Sequence, residues 1–491
     1  MFESAELDHT IDKETFEQLM PRLREDLLNA QFDLVEAKEF PVIILIAGAD
    51  GAGKAEAVNG LNAILDIHYV STIAMGPATE EVRERPPMWR YWRVLPPKGR
   101  VGIFFGSWYS DPLRDRILGV SKSADLHKSL EEINRLEEML ADEGALILKF
   151  WFHLSREQQK KRLKKLKKDP TRYWRLADRV LDSVKNYDRA LSAAEHVVRL
   201  TSTGYAPWTV IGGTDKRYRG LMLANTLLHA ISKRLQVPDV EPVAPAPIIT
   251  EPVDENSLLD NLDLSLKLER ADYKRQLKRY QRRLNHLSQQ DGFRKKAVVA
   301  VFEGNDAAGK GGSIRRVTEA LDATLYRVHP VAAPTEEERV QPYLWRFWRR
   351  IPRIGHLAFF DRSWYGRVLV ERIEGFCSEA DWLRAYTEIN DFESELARHD
   401  IVVVKFWLSI SKEEQERRFK TREEIGYKRY KLTDEDWRNR EKWDLYARAA
   451  CDMVDRTSTE RAPWALVEAN DKRFARIKVL KTLCERIEAA I

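Results

Sequence analysis

Short apolar runs with several β-branched residues recur along the chain, and longer charged stretches separate them. In the second half these runs fall at Ala297–Phe302, Thr324–Val328, His356–Phe360, Ile401–Leu408 and Ala465–Glu468. Runs of this length, bounded by polar segments, predict buried strands. The intervening Ser378–His399 and Ser411–Glu424 predict charged helices. Strand and helix alternating in this way predict an α/β fold with a parallel sheet flanked by helices. Ligands of such sheets bind beyond the carboxyl ends of the strands. Each half opens with a charged amphipathic helix, predicted over Lys13–Ala37 and Leu258–Gln289.

The pattern occurs twice. Gly48-Ala-Asp50 with Gly53-Lys54 matches Gly304-Asn-Asp306 with Gly309-Lys310, an offset of 304 − 48 = 256. At the same offset Trp89-Arg90-Tyr-Trp92-Arg93 matches Trp345-Arg346-Phe-Trp348-Arg349, and Ser107-Trp-Tyr109 matches Ser363-Trp-Tyr365. Lys149-Phe-Trp151 matches Lys405-Phe-Trp407, Ala206-Pro-Trp208 matches Ala462-Pro-Trp464, and Asp215-Lys-Arg217 matches Asp471-Lys-Arg473. One constant offset over so long a stretch predicts a tandem pair of like domains rather than a solenoid. Between the copies, Val237 to Glu255 is rich in proline, which cannot sit inside helices and favours an extended spacer. The expected division is therefore residues 1–236, a linker over 237–256, and residues 257–491.

Composition narrows the setting. A chain of 491 residues with 43% hydrophobic and 32% charged residues can bury two cores and remain soluble. The apolar run Val42 to Ala47 is far short of the roughly 20 residues a membrane span needs. The N-terminus is acidic and lacks a signal pattern, and three scattered cysteines form no disulfide or metal motif. These features predict a cytoplasmic protein without a membrane partner. The net charge is only +5, but Lys160 to Lys168 and Trp345 to Arg353 are dense basic clusters. Such clusters either attract a polyanion or form a solvated helix face.

The chemistry concentrates in the second copy. Gly304-Asn-Asp-Ala-Ala-Gly309-Lys310 lies between a predicted strand and a predicted helix, the context a phosphate-binding loop needs. Gly304 and Gly309 let the backbone turn its N–H groups toward phosphate, and Lys310 supplies a full positive charge. The Ser or Thr that usually follows the lysine to hold Mg²⁺ is absent, Gly311 standing there instead. The loop also contains a carboxylate, Asp306, which would repel phosphate unless a cation sat between them. Asp306 is therefore a candidate metal-facing or acceptor-facing group, the alternative being a turn or capping residue. The strand His356–Phe360 leads into Asp361-Arg362-Ser-Trp-Tyr-Gly-Arg367. A strand-tip acid beside the loop is where such enzymes hold Mg²⁺, and Arg362 and Arg367 can stabilise charge on a moving phosphoryl group.

Taken together, FEGNDAAGKGG, PTEEERVQPYLWRFWRRIP and FFDRSWYGR resemble the polyphosphate kinase 2 family. The two-copy architecture is similar to the form that phosphorylates AMP from polyphosphate. The resemblance implies a P-loop kinase fold with a helical lid, Mg²⁺ as cofactor, and a polyphosphate chain in a basic channel. By position, Asp306 and Asp361 match the family's essential acids, Lys310 its loop lysine, and Arg362 and Arg367 its phosphate-binding arginines. The lid would span about Arg417 to Trp437, where Arg418, Arg422, Lys428 and Lys431 are candidate substrate-binding residues beside Arg417 and Lys420. This segment lacks the DPxxxWK-like lid sequence of many members, while the first copy keeps Asp169-Pro170 and Trp174-Arg175.

The offset also compares the copies site by site. Asp306 and Lys310 correspond to Asp50 and Lys54, but Asp361 falls on Phe105, Arg362 on Gly106 and Arg367 on Asp111. Ser313 falls on Ala57, and Gly311-Gly312 on Ala55-Glu56. The first copy is therefore expected to be degenerate and the second catalytic. The leading expectation is Mg²⁺-dependent transfer of phosphate from polyphosphate to AMP, giving ADP. The alternatives are a polyphosphate-dependent nucleoside diphosphate kinase, an ATP-dependent nucleoside monophosphate kinase, and a non-catalytic polyanion-binding protein. Nucleic acid is a disfavoured partner, and a homo-oligomer is left open.

Overall fold

A computed structural model describes residues 1–167, 185–236, 259, 261–424 and 434–491. The proline-rich segment 237–256 lies outside them, as do the lid positions Lys428 and Lys431. The chain divides into two compact units. The first comprises Met1–Pro77, Arg90–Glu241 and Thr335–Pro342, and the second Ala78–Trp89, Pro242–Pro334 and Tyr343–Ile491.

The first unit is built on β1 (Val42–Gly48), β2 (Val70–Ala74), β3 (Val101–Phe105), β4 (Leu146–His153) and β5 (Trp208–Gly212). All pairings are parallel, in the order β2-β3-β1-β4-β5. Helices α1 (Lys13–Ala37), α2 (Lys54–Ile64), α3 (Ser123–Asp142), α4 (Tyr187–Thr201) and α5 (Lys216–Gln236) flank it.

The second unit repeats this plan with β6 (Ala297–Gly304), β7 (Tyr326–Pro330), β8 (Leu357–Asp361), β9 (Ile401–Ser409) and β10 (Trp464–Glu468), in the order β10-β9-β6-β8-β7. Its principal helices are α6 (Arg270–Gln289), α7 (Lys310–Thr318), α8 (Glu379–Arg398), α9 (Lys412–Glu424), α10 (Asp434–Glu441), α11 (Trp443–Thr457) and α12 (Lys472–Glu488). The central strand β6 is fully apolar on both faces up to Phe302, with Val298, Val299, Ala300, Val301 and Phe302 all inaccessible. That is why it reads as a continuous apolar run rather than an alternating one. β6 and β8 run in register with Phe302 opposite Asp361. The carboxyl end of the loop strand thus lies beside the strand-tip acid.

Two elements start later than expected for a local reason. The strand predicted from Thr324 begins at Tyr326, because Asp322 Oδ1 accepts from both the Thr324 N–H (2.8 Å) and its hydroxyl (2.7 Å), closing a turn there. The helix predicted from Leu258 begins at Arg270. Its approach is broken by turns, one of them made by Asp263 Oδ1 accepting from the Ser265 N–H at 3.1 Å. The basic cluster at Trp345–Arg353 divides: Trp345, Arg346, Phe347 and Trp348 are buried, with the Arg346 guanidinium donating to the Ala332 carbonyl at 2.8 Å, whereas Arg349 and Arg353 are exposed.

Behind the β8 tip lies an ion pair with almost no access to water. Lys405 on β9 gives all three ammonium protons to protein: to Glu393 Oε2 on α8 (2.7 Å), to the Tyr365 hydroxyl (2.8 Å) and to the Thr457 carbonyl (2.7 Å). Glu393 Oε1 accepts from the Tyr365 hydroxyl (2.6 Å) and the Trp364 indole (3.0 Å). Burial pushes the Glu393 carboxyl up and the Lys405 ammonium down, and their mutual attraction opposes both shifts. The first unit repeats the arrangement with Lys149, Glu137, Tyr109, Trp108 and Thr201.

Removing one member of a buried pair leaves the other uncompensated, at a cost of about 3–5 kcal/mol. Lys405→Met is therefore expected to lower the unfolding midpoint of the chain substantially, with Lys149→Met giving a comparable loss. Thermal melts followed by circular dichroism check this; wild-type melting of Lys405→Met would show that the pair is dispensable.

Candidate active site

The phosphate-binding loop connects β6 to α7. Gly304 has φ +141°, and a side chain there would meet the Leu408 carbonyl at 2.3 Å, so the loop can leave the sheet only at a glycine. The loop then turns through Ala307, at φ +63°, and Gly309, at φ +110°. The Lys310 ammonium folds back to donate to the Gly304 carbonyl at 2.7 Å, which keeps its charge over the loop.

Asp306 is the most heavily engaged group in the loop. Its Oδ1 accepts from the Arg362 guanidinium at 3.1 Å, and its Oδ2 from the Asn439 amide at 2.8 Å. Its own carbonyl accepts from Gln415 at 3.2 Å. Burial pushes the carboxyl up, but Lys310 and Arg362 outweigh it and hold Asp306 below the usual carboxylate range. Asp361 is different: no described residue donates a hydrogen bond to its carboxylate, and it faces the helix start, with Oδ2 3.5 Å from where a side chain on Gly311 would begin. Hard carboxylate oxygens with open lone pairs, beside a place for phosphate, suit Mg²⁺, which keeps water and phosphate oxygens among its ligands. Among the described residues no group of three or more acids, histidines or cysteines forms a closed metal cage. A metal here would take its remaining ligands from substrate.

Two cavities share Asp306, Lys310 and Arg362. One is walled by Trp407, Trp443, Tyr446 and Leu369, with Glu303 and Asn439 at its polar end. The other, about 430 Å³, is lined by Asp306 to Gly312, by Asp361, and by Pro330, Val331 and Arg422. The first offers aromatic faces; the second offers backbone N–H groups and cations.

Arg362 pays for its position in backbone strain. Its φ is +63°, a left-handed conformation that costs a non-glycine residue roughly 1–2 kcal/mol. The first unit has Gly106 at the matching position, at φ +93°. The same turn is thus made at ease by glycine where no guanidinium is needed.

The remaining sequence candidates divide. Arg422 lines the second cavity. Arg367 is paired with Glu371 Oε2 at 2.8 Å and lies over the Tyr343 ring at 4.4 Å. Arg418 lines neither cavity. It is 3% exposed, and all five of its donors are used: on Glu414, on the Ala307 and Ala308 carbonyls of the loop, and on the Ala469 and Asn470 carbonyls. Its work is to hold the loop against the end of β10, a role that its lid position did not suggest.

In the first unit Lys54 makes the same bond to its loop, donating to the Gly48 carbonyl at 2.5 Å. Phe105 ends β3 in place of an acid. Asp111 is paired with Arg114 at 2.8 Å, and Glu56 with Arg219 at 2.7 Å and Arg162 at 3.1 Å.

A family profile described as Polyphosphate kinase 2 matches residues 10–237 and again 267–491. The chain belongs to the polyphosphate kinase 2 family. It is 56% identical to a polyphosphate:AMP phosphotransferase of Pseudomonas aeruginosa strain PAO1, covering 100% of this chain and 99% of that one. It is 53% identical to a polyphosphate:AMP phosphotransferase of Pseudomonas syringae pv. tomato, with the same coverage. A crystal structure from Pseudomonas aeruginosa described as a polyphosphate kinase 2 superposes with a TM-score of 0.91 at 54% identity, covering 100% of this chain and 99% of that one.

Within this family fold, the site holds residues that motif reading missed. Glu303, 5% exposed, accepts from the Ser363 hydroxyl at 2.8 Å, and burial pushes its carboxyl up against the pull of Lys310. Asn439 and Tyr446 are joined at 3.1 Å. Lys472 and Arg476, on the first turns of α12, add positive charge near the loop; Arg476 reaches to 3.3 Å from where a side chain on Gly312 would begin. A signal for some of them was available. At the 256-residue offset Glu303 falls on Ala47, Tyr446 on Ala190 and Arg476 on Gly220, so each is lost from the first copy together with Asp361.

Arg362→Gly should relieve the strained turn but leave the largely buried Asp306 without its cation, so the melting temperature should stay near the wild-type value while turnover falls by about 10²–10³; lower stability with retained turnover would reverse the assignment.

Proposed function

We propose that the second unit transfers the terminal phosphoryl group of inorganic polyphosphate to AMP, giving ADP, with Mg²⁺ as the assisting ion. The observation that carries this is the pair of cavities meeting at Asp306, Lys310 and Arg362. A phosphoryl transfer between two substrates needs donor and acceptor to approach one point from two sides, in line. The aromatic cavity, about 80 Å³, offers Trp443 and Tyr446 as stacking faces for part of a purine. The glycine-lined cavity, with Arg422, Lys472 and Arg476 nearby, suits a chain of phosphates. The full-length relatives named polyphosphate:AMP phosphotransferase support the same pairing.

In this reading Lys310 and the loop N–H groups bind the phosphoryl group being moved. Arg362, oriented by Asp306, gathers the negative charge that spreads over it. Asp361 would hold Mg²⁺, which when bound neutralises phosphate oxygens and aligns them. No proton need be removed from the acceptor, because the attacking oxygen of AMP is already anionic near neutral pH. Asn439 and Gln415 keep Asp306 in place, and Arg418 fixes the loop carbonyls. Arg367, Lys428 and Lys431 remain proposed phosphate contacts by family position.

We further assign residues 1–236 to a degenerate copy, 237–256 to a linker and 257–491 to the catalytic copy. A cytoplasmic setting fits the three free cysteines, and no described helix is long and apolar enough to cross a membrane.

The test is an assay of AMP phosphorylation with polyphosphate or ATP as sole donor, run on wild type, Lys54→Ala and Lys310→Ala. Activity should require polyphosphate, survive in Lys54→Ala and fall by about 10²–10³ in Lys310→Ala. Equal activity with ATP would sink the donor assignment. Equal losses in the two variants, both folded, would place catalysis in both copies.

A further inference from the structure

The turn that carries Arg362 away from β8 is tied to β6 on both sides of that residue. The Arg362 N–H donates to the Phe302 carbonyl at 3.0 Å. One residue later, the Ser363 hydroxyl donates to Glu303 Oε1 at 2.8 Å. Ser363 is 3% exposed, and its Oγ also accepts from the Tyr365 N–H at 3.3 Å, opening the short helix Trp364–Arg367. Glu303, the last residue but one of β6, therefore fixes the backbone immediately after a residue held at φ +63°.

The first unit separates what the fold needs from what the site needs. At the 256-residue offset Ser363 is Ser107, equally buried, and Ser107 Oγ accepts from the Tyr109 N–H at 3.4 Å. The serine thus keeps its capping task in both units. Glu303 falls on Ala47, and the Ser107 hydroxyl donates to no described residue. Arg362 falls on Gly106, for which a positive φ carries no strain. The carboxyl and the strained arginine are present together in one unit and absent together from the other. Burying a carboxyl is costly, and the same turn folds without one. What it adds in the second unit is a hydrogen bond in a dry setting, where such a bond is strong, beside a conformation that would otherwise relax.

We infer that Glu303 is a positioning residue for the transfer: through Ser363 it holds Arg362 in the left-handed conformation that brings its guanidinium to the phosphate loop. The inference rests on the reading of Arg362 as the group that gathers charge on the moving phosphoryl. Glu303 then acts on turnover through Arg362. A guanidinium that drifts from its place still lets both substrates bind, but no longer meets the charge that develops between them. The effect therefore belongs to kcat rather than KM.

The test is steady-state kinetics of the full chain with polyphosphate and AMP, on Glu303→Ala, Glu303→Gln, Ser363→Ala and the Glu303→Ala/Ser363→Ala double variant. Glu303→Ala should lower kcat roughly 10–100-fold while KM for each substrate stays within about twofold. Glu303→Gln keeps an acceptor oxygen for Ser363 without the charge, and should retain most of kcat. Ser363→Ala should reproduce the loss, and the double variant should lose no more than either single one, because both remove the same bond. Additive losses overturn the inference. So does a Glu303→Gln as slow as Glu303→Ala, which would make the charge the contribution, and so does a raised KM at unchanged kcat, which would make Glu303 a substrate contact. The first unit folds with alanine at this position, so an unfolded Glu303→Ala, seen by circular dichroism, would make the acid a requirement of the fold and overturn the inference as well. Arg362→Gly separates the two readings. Retained turnover there removes the role of Arg362 and this inference with it; a fall there, with full turnover in Glu303→Ala, overturns this inference alone.

Discussion

The active-site edge of the second unit depends on the buried contact between Lys405 and Glu393. A strand tip that carries an acid and an arginine into a cavity is surrounded by like and unlike charges, and nothing about the strand alone holds it still. The hydroxyl of Tyr365 and the indole of Trp364 reach back to Glu393, and Lys405 ties that carboxylate to the end of α11 through the Thr457 carbonyl. Only Arg362 and Ser363 lie between Asp361 and Trp364, so the anchor sets the exit direction of the turn that carries Asp361 and Arg362. Buried ion pairs are poor sources of net stability, because desolvation consumes most of their attraction. Their value lies in geometry: an arrangement in which every donor is matched has few competing alternatives.

The duplicated unit separates fold from chemistry in a way a single domain cannot. Both units keep the anchor, the strand order and the loop lysine bonded to its own first glycine. The first lacks Asp361, Arg362 and Glu303 equivalents, having Phe105, Gly106 and Ala47. Retention of the Lys–Glu–Tyr–Trp network where those groups are gone marks it as a requirement of the fold. The change from a strained Arg362 to a relaxed Gly106 points the same way from the other side. Left-handed strain at a non-glycine residue persists where the side chain is needed, and disappears where it is not.

Much of this was legible in the sequence because the strands are buried on both faces. Such strands appear as unbroken apolar runs, and their spacing with the helices gave the layered fold, including α1 at its observed bounds Lys13–Ala37. The loop and the strand-tip motif were legible because their chemistry depends on neighbours in sequence. What escaped depends on neighbours in space. Asn439 reaches Asp306 from 133 positions away, and Arg418 reaches the loop from 111. The loop-holding bonds of Arg418 escaped for a physical reason: a cation on a charged helix looks alike whether it meets phosphate or backbone carbonyls. Only the five matched donors distinguish the two. Thr324 was misassigned for a local reason, an aspartate turn overriding β propensity.

The acid inside the phosphate loop sets the electrostatics of the whole site. In a loop of amides and one lysine, charge would be positive and phosphate would bind unaided. Asp306 offsets one of the two positive charges of Lys310 and Arg362, the latter 3.1 Å away with part of its guanidinium exposed, and Asp361 offsets the other. The centre of the site is then close to neutral, and net attraction for a polyanion must come from the periphery, from Arg422 and Arg476. Such an arrangement binds a long phosphate chain along many weak contacts and grips no single phosphate tightly at the point of transfer. Binding spread over the periphery leaves the central groups free to act on charge that develops only during transfer. The same logic explains why the hydroxyl that usually follows the loop lysine can be absent. With Asp361 free of protein hydrogen-bond donors among the described residues, the strand tip can present a cation to the phosphates without help from the loop helix.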